Sequence, residues 1–494
     1  MRNNIIKTIS FIAILLLLLC EFHHTFKFKN GDGIYGLYNF YDVEENTIDV
    51  IFFGSSHIFE DVSTGVLWDE YGIASYDLCG SIQPLWNTYY YMKEALKSQT
   101  PKLMVLDCYC AIQTEDYIDS SRIIKNNYGL KFSEDKIESL KVSSPESDLK
   151  GYLFEYPTYH NRYDGDITYA DFLPYNGITN YDVWKGYGIN TNTLKHENYI
   201  GQNNITDSEE LTPKVELYLR KIIELSQESD IPLVLIVTPY PLNPENAEHA
   251  RQLRIYNRVA EIADEYGITF INYNYIYEEL GLDFETDYAD AAHLNYKGSP
   301  KFSKYLGTWI KDNYDIPDHR GEEYYSDYDI MAKDCRMKIY NQELRDIKDI
   351  GTWLNKAQCE DYLLVYSISG DYKNMENYEA VKNELQLFGI DIDAVDGDSV
   401  WIVKNGEVIF ASGNEEEYCY HSVIGGINII TVSNGIELDD GEKKPPVIKY
   451  NNDIIQPVTS GLTVFAYDTF TQTKVEAVGF SINNNEMTYG KVSK

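Results

Sequence analysis

Apolar runs separated by polar, turn-forming stretches give the first part of the chain an alternating rhythm. The run Ile48-Asp-Val-Ile-Phe-Phe53, broken by one charge and closed by Gly54, predicts a strand buried on both faces of a parallel sheet. Leu67 to Tyr71 suits a short helix, Ile73 to Leu78 a second strand, Trp86 to Lys97 a helix and Lys102 to Cys108 a third strand. Val215 to Gln227 is amphipathic at helical spacing. It leads into Leu233-Val-Leu-Ile-Val237, the strongest strand signal in the chain, closed by Thr238-Pro239. A helix over 246–266, a strand Thr269-Phe-Ile-Asn272 and a helix over 298–312 complete the series. Strands alternating with helices predict an α/β fold, a doubly wound parallel sheet in three layers. The polar, turn-rich stretch 111–210 is expected to form an insertion or lid over the strand ends.

The pattern changes after residue 315. Residues 316–330 are charged and aromatic, with a proline and a glycine, and are expected to be a linker. Beyond them, 331–494 reads as a smaller α+β domain. Helices over 338–356 and 374–388 flank a strand Tyr362 to Ser367, and short strands follow at 400–403, 408–410, 427–432, 462–467 and 474–480. Asp396-Gly397 and Asn405-Gly406 are hairpin signals, because both dipeptides accept positive φ.

The N-terminus stands apart from both patterns. Arg2 and Lys7 precede Phe11 to Leu19, a run without charge, and Ile5 to Phe22 gives about 18 residues, enough for a tilted membrane span. An export signal and an uncleaved anchor both fit. The absence of a small-x-small cleavage pattern favours the anchor over residues 1–29. Basic residues on the short side place that side in the cytoplasm and residues 30–494 outside the cell membrane.

A length of 494 residues fits two domains behind such a segment, 30–315 and 331–494. The formal net charge of −36 argues against nucleic acid or anionic lipid as a main partner. The 44 tyrosines provide flat amphipathic surface of the kind that faces sugars, as well as core and sheet positions. The seven cysteines show no metal-ligand spacing. Cys108 and Cys110, two apart in an expected strand, are poorly placed to bridge, and mostly free buried thiols are expected, with a pair among Cys335, Cys359 and Cys419 left open. The acidic group Asp391, Asp393, Asp396 and Asp398 lacks the spacing of a calcium loop and reads as a solvated turn.

Two segments carry catalytic vocabulary. Gly54-Ser55-Ser56-His57 follows the first buried strand, so a serine sits at the carboxyl edge of the sheet, where backbone N–H groups can face a developing oxyanion. Taken alone, the tripeptide reads first as a helix cap. Late in the same region, Asp290-Ala-Ala-His293-Leu-Asn295-Tyr-Lys-Gly298 sets an acid and an imidazole three apart, a spacing that lets the acid orient the base. A serine after the first strand and an Asp-x-x-His before the last helix form a much rarer pair than either alone.

On these residues the chain resembles the SGNH/GDSL hydrolase superfamily, in the branch of membrane-anchored surface proteins akin to the D-alanyl-transfer protein DltD and the alginate acetylation proteins. The resemblance runs over residues 48–312. It is carried by Ile51-Phe-Phe-Gly-Ser-Ser-His57, in which Ser55 replaces the family's Asp, and by Gly72 to Leu78, Gly80-Ser-Ile-Gln83-Pro84, Lys102 to Asp107, Tyr159-His160-Asn161-Arg162-Tyr163 and the Asp290–Gly298 segment. It implies Ser56 as nucleophile, His293 as general base, Asp290 as its orienter, and an oxyanion hole from Gly80 and the Ser56 backbone N–H. The family's asparagine donor after the third strand is missing, since that strand runs into Asp107-Cys-Tyr-Cys110. Gln83, His160, Asn161 and Arg162 are candidates for that place, and His57 is either a substrate contact or a packing residue. The resemblance further implies a serine esterase or O-acyltransferase acting on acetyl or D-alanyl esters of a cell-surface glycan or polymer, partnered by a membrane-bound O-acyltransferase, with no metal or organic cofactor. The alternatives are a carbohydrate ester hydrolase and a non-catalytic surface or assembly protein on the same scaffold. The C-terminal module resembles interleukin-like EMT inducer domains through Glu360 to Tyr366, Leu385 to Gly389 with Ser399 to Val403, and Leu462 to Asp468 with Val478 to Phe480. That likeness implies a binding role.

Overall fold

The computed structural model describes residues 2–28, 31–155, 167–172, 184–395, 397–412, 419–424, 427–433, 446–451, 453–455, 457–458, 460–482 and 486–490. These divide into two compact units, one up to Cys335 and one from Arg336.

The first unit is built on five parallel strands: β1 (Val50–Gly54), β2 (Ser75–Cys79), β3 (Leu103–Asp107), β4 (Leu233–Val237) and β5 (Thr269–Asn272), in the order β2-β1-β3-β4-β5. Every residue of β1 to β4 is buried, because both faces of the sheet are covered. Successive side chains point to opposite faces, and the core divides accordingly. Ile51, Phe53, Met104, Leu106, Leu235 and Val237 pack with Trp86, Ile222 and Val259. Val50, Phe52, Val105, Val234 and Ile236 pack with Ile58, Leu67, Phe302 and Ile310. The expected doubly wound sheet is present.

Helices begin and end where local chemistry directs. Ser63 accepts from the Val66 N–H at the start of Thr64–Tyr71, and Gly72 closes that helix at φ 66°. Asn246 and Gly267 do the same for Ala247–Tyr266. The chain leaves β1 for β2 on one side and then pairs β3 with β1 on the other. The carboxyl end of β1 is therefore a topological switch point, the position at which open α/β sheets place their ligand sites.

The expected helix over 338–356 is two helices, Ser326–Asp346 and Ile350–Lys356, and two further boundaries differ from expectation. The third strand stops at Asp107, and Tyr109–Ile112 is a short 3-10 turn, so Cys108 and Cys110 do not share a strand face. The segment 316–330 is packed rather than free. His319 Nε2 lies 2.8 Å from Asp49 Oδ2, its ring stacks on Tyr325 at 4.0 Å, and buried Tyr328 donates to the Ser75 carbonyl. Its aromatic residues find apolar surface on the first unit, and a helix, Ser326–Asp346, starts from that packing. The stretch 111–210 contributes the helices Ser120–Asn127, Glu134–Ser143 and Leu149–Leu153.

The N-terminal helix α1 (Arg2–Phe26) carries a 22-residue stretch, Ile5–Phe26, of mean hydropathy 2.4, long and apolar enough to cross a membrane.

Among its described residues the second unit has a six-stranded sheet and a four-stranded sheet. Its central strand Tyr362–Ser369 alternates. Leu364, Tyr366 and Ile368 pack with Trp353 and Leu385, whereas Leu363 and Val365 pack with Ile430 and Ile448 of the smaller sheet. The Asn405-Gly406 hairpin forms as expected, with φ of 52° and 74° between paired Lys404 and Glu407. Cys20, Cys79, Cys108 and Cys110 are free thiols.

Candidate active site

Gly54 ends β1 at φ 151°, and a Cβ there would lie 2.9 Å from Asp107 Cβ, so only glycine turns the chain this sharply beside β3. The turn delivers Ser56 as the first residue of the short helix α2 (Ser56–Asp61), at the carboxyl edge of the sheet. At the other end of the region, Tyr288 and Leu294 form an antiparallel bridge and the Ala289 N–H donates to the His293 carbonyl. Asp290-Ala-Ala-His293 is thus a closed loop. Asn295 pins it from below, its amide donating to the Thr286 and Tyr288 carbonyls and its Oδ1 accepting from the N–H groups of Lys297 and Gly298.

The two segments meet. His293 Nε2 lies 2.8 Å from Ser56 Oγ, and His293 Nδ1 lies 3.0 Å from both Oδ1 and Oδ2 of Asp290. Asp290 Oδ1 also accepts from the backbone N–H groups of Ala292 (2.8 Å) and His293 (3.0 Å). Burial works against the charged carboxylate, but these hydrogen bonds outweigh it and hold Asp290 down at about 2. Burial also works against the imidazolium. The Asp290 hydrogen bond and the charges of Asp61, Glu60 and Asp290 outweigh it and bring His293 up to about 9. The Asp290 and Glu60 shares persist when Asp61 is neutral. A serine hydroxyl, an imidazole and a carboxylate are in contact in that order, an arrangement able to support acyl-transfer catalysis.

Several residues that the sequence reading did not single out surround this chain of bonds. Glu60 Oε2 accepts from Asn190 Nδ2 at 2.7 Å and stands 4.0 Å from His293 Nδ1, with burial pushing its carboxyl up. Asp61, fully buried, accepts the Leu294 N–H on Oδ1 at 2.8 Å and lies 3.4 Å from His57 Nδ1. Burial drives Asp61 well up and His57 well down, so both tend to their neutral forms. Helical spacing was the available signal: Ser56, His57, Glu60 and Asp61 share one turn and a half. Glu60, Asp290 and His293 also offer ligand atoms within 4.8 Å of one another, a spacing that could hold a cation, but a metal on Nδ1 would displace the bond to Asp290.

The remaining candidates divide. His57 is no substrate contact: it is fully buried, its ring lies 3.8 Å from that of Tyr109, and Nδ1 is 3.0 Å from Thr238 Oγ1. It packs beneath Ser56 because α2 turns its next residue inward. Gly80 follows Cys79, which pairs with Gly54, and so lies at the same sheet edge as the Ser56 turn. A Cβ on Gly80 would lie 2.3 Å from Asn126 Oδ1 and 3.1 Å from Gln83 Oε1. Gln83 is buried and donates from Nε2 to Thr88 Oγ1, which commits one side of its amide to local structure. Asn126, buried and donating to the Ser81 carbonyl, comes from the insertion and had no sequence signal. His160, Asn161 and Arg162 lie outside the described residues, as do Tyr156, Tyr159, Tyr163 and Tyr175 of the same stretch.

No family model matches the chain, and no curated protein matches it. Solved structures do. An acetyl xylan esterase, AlAXEase, is 14% identical, with 53% of this chain and 100% of that chain covered at a TM-score of 0.28. A GDSL-like lipase from Bacteroides thetaiotaomicron is 10% identical, with 57% and 98% covered at 0.28. The acetylxylan esterase Axe2 from Geobacillus stearothermophilus, a catalytic mutant, is 10% identical, with 55% and 96% covered at 0.28. What the site of this chain can do is decided by its own atoms.

Proposed function

We propose that the first unit is a serine acyl-transfer enzyme, an esterase or O-acyltransferase of the SGNH/GDSL kind, tethered outside the cell membrane by α1. The observation that carries this reading is the continuous bond chain Ser56 Oγ, His293 Nε2, His293 Nδ1, Asp290 at 2.8 and 3.0 Å. Ser56 Oγ attacks the ester carbonyl as His293 Nε2 takes its proton, and the negative charge on the carbonyl oxygen falls to the Ser56 and Gly80 N–H groups. His293 then gives the proton to the departing alcohol, leaving an acyl ester on Ser56. An incoming hydroxyl, deprotonated by His293, releases the acyl group and restores the serine.

The substrate we assign is an acetyl or D-alanyl ester of a cell-surface glycan or polymer, with transfer to a sugar hydroxyl preferred over release to water. A membrane-spanning helix supports that preference, since it holds the site beside a membrane-bound O-acyltransferase that supplies the acyl group. The second unit follows the binding role that its resemblance implies. A fluorophosphonate should label the native chain, and Ser56→Ala should abolish labelling with thermal unfolding unchanged. Labelling that survives the substitution, or none in the native chain, removes Ser56 as nucleophile. With a chromogenic acetyl ester and an oligosaccharide acceptor, acylated sugar should form and acetate release should fall. Acetate release indifferent to the acceptor makes the protein a carbohydrate ester hydrolase.

A further inference from the structure

Of the six tryptophans, Trp68, Trp86, Trp184, Trp353 and Trp401 are buried, and Trp309 alone is left partly exposed. Its place on the helix Gly298–Asn313 makes that exposure a property of the sequence. Phe302, Ser303, Leu306, Gly307 and Ile310 form the buried face of this helix. Lys301, Lys304, Tyr305, Thr308, Trp309 and Asp312 recur at helical spacing on the other face, where an amphipathic helix carries polar residues. Two aromatic residues four apart break that pattern.

With Tyr71, Glu279 and Leu280 that face lines a recess of about 420 Å³. Its rings are held in place. A Cβ on Gly307 would clash with the Tyr71 ring, so the missing side chain lets that ring lie against the helix. The Tyr71 hydroxyl donates to the Lys304 carbonyl at 2.6 Å and lies 2.7 Å from Thr308 Oγ1. The Tyr305 hydroxyl lies 3.4 Å from Glu279 Oε2, and its ring meets that of Tyr273 edge-on at 6.0 Å. With their hydroxyls turned to these partners, the tyrosines offer a ligand ring surface, and their fixed positions leave little entropy to lose on binding. The charges of the recess select among ligands. Lys304 Nζ lies 2.6 Å from Glu70 Oε1 and Lys301 Nζ lies 2.6 Å from Asp287 Oδ2, so each ammonium is already matched by a carboxylate. Glu279 and Asp312 are exposed acids, and Asp312 pairs with no cation among the described residues. The balance is acidic and repels a polyanion. Flat rings flanked by hydrogen-bond acceptors match the apolar faces and peripheral hydroxyls of an uncharged sugar.

We propose that this recess is a binding site for a neutral oligosaccharide, with a sugar ring stacked on Trp309. Trp309 stands about 16 Å along the helix from Gly298, where the Asp290–Gly298 segment ends, so the recess holds a glycan away from Ser56 and takes no part in the reaction. The site goes beyond the acyl-transfer reading, on which it rests only for the presence of a glycan. It gives the first unit a grip on a polymer that does not depend on the ester being cleaved.

The test is acrylamide quenching of tryptophan emission in the full chain, in micelles of a zwitterionic detergent without sugar headgroups. Because Trp309 is the tryptophan open to solvent, cellohexaose or N-acetylchitohexaose should cut the quenching by roughly half and saturate below about 1 mM. Hexagalacturonate should leave it unchanged. By calorimetry, Trp309→Ala should weaken binding at least about tenfold, and Trp309→Phe, which keeps a flat ring in the fold, should weaken it roughly threefold. Both variants should cleave a small chromogenic acetyl ester at the native rate. No protection of the native chain by either neutral hexamer overturns the site, as does an unchanged affinity in Trp309→Ala. Hexagalacturonate bound as tightly as the neutral hexamers overturns the assignment of an uncharged ligand. Ester cleavage lost in step with binding makes Trp309 a support of the fold and overturns the separate site. Binding that needs Trp309 in a chain whose Ser56 no fluorophosphonate labels leaves the recess standing and removes the acyl-transfer reading alone.

Discussion

Replacing Asp290 by asparagine tests the site at its most informative bond. The carboxyl is held at about 2 where 3.8 is ordinary, and His293 is raised from 6.5 to about 9. The two displacements differ because Glu60 and Asp61 add to the rise of His293, so the Asp290 value bounds what the pair contributes. At 1.36 kcal/mol per pH unit it amounts to roughly 2.5 kcal/mol. The Asp290 side chain is 49% exposed, and solvent screening reduces this to about 1–2 kcal/mol. Asp290→Asn should therefore lose roughly five- to thirty-fold in kcat/KM from charge alone. An amide N–H facing Nδ1 also drives the ring proton onto Nε2, where it blocks acceptance from Ser56, and takes the total loss toward about a thousand-fold. Native kcat/KM should rise with pH toward 9, because only the neutral imidazole accepts the serine proton. In the variant that rising limb should move down by about one pH unit. Stability gives an independent readout. The raised His293 pKa stabilises the fold fully below about pH 6.5, and this is lost as pH climbs through about 9. The difference in Tm between native chain and variant should accordingly be largest between about pH 5 and 7 and shrink toward 9. The assay is hydrolysis of a chromogenic acetyl ester from pH 6 to about 10 with parallel thermal melts. Activity within about threefold of native and an unmoved limb would refute the assignment of Asp290 as orienter.

Three further substitutions probe the support of the site. Gly80→Ala places a methyl group against buried Asn126 and should cost about 1–3 kcal/mol in urea unfolding, with a loss in kcat exceeding any rise in KM; unchanged kcat would remove Gly80 from the oxyanion site. Asp61→Ala strands the Leu294 N–H in a buried position and should cost about 1–3 kcal/mol while slowing fluorophosphonate labelling of Ser56. A labelling rate equal to native would show that the His293 loop needs no brace. Asp77 is buried with neither carboxyl oxygen hydrogen-bonded, and burial pushes its pKa well up. A raised acid binds its proton more tightly in the fold, so stability is full below about pH 3.8 and falls as pH rises above it. Asp77→Asn should raise Tm at pH 8 and change it little at pH 4, and a higher Tm at both would reject the linkage.

How much of this was readable in the sequence follows from the range of the forces involved. The parallel strands announce themselves because a strand covered on both faces needs an unbroken apolar run, and Val50–Gly54 and Leu233–Val237 have one. The Asn405-Gly406 hairpin is equally local, since positive φ is a property of the dipeptide. Asp290 and His293 are legible together because three residues of spacing and one loop decide their contact. The segment 316–330 was misread, because charge and turn residues describe a linker only when the aromatic ones among them find no surface, and Tyr325 and Tyr328 find it on the first unit. The environment of Ser56 lay further out of reach. His57 is buried against Tyr109 and Thr238, Asp61 holds the His293 loop, and Asn126 closes on Gly80. Each of these contacts joins residues far apart in the chain. Local propensity and periodicity therefore determined the strands, the hairpin and the Asp–His pair, whereas burial and the orphaned polar groups it must satisfy, set by which helices the sheet brings together, were decided only by the tertiary structure.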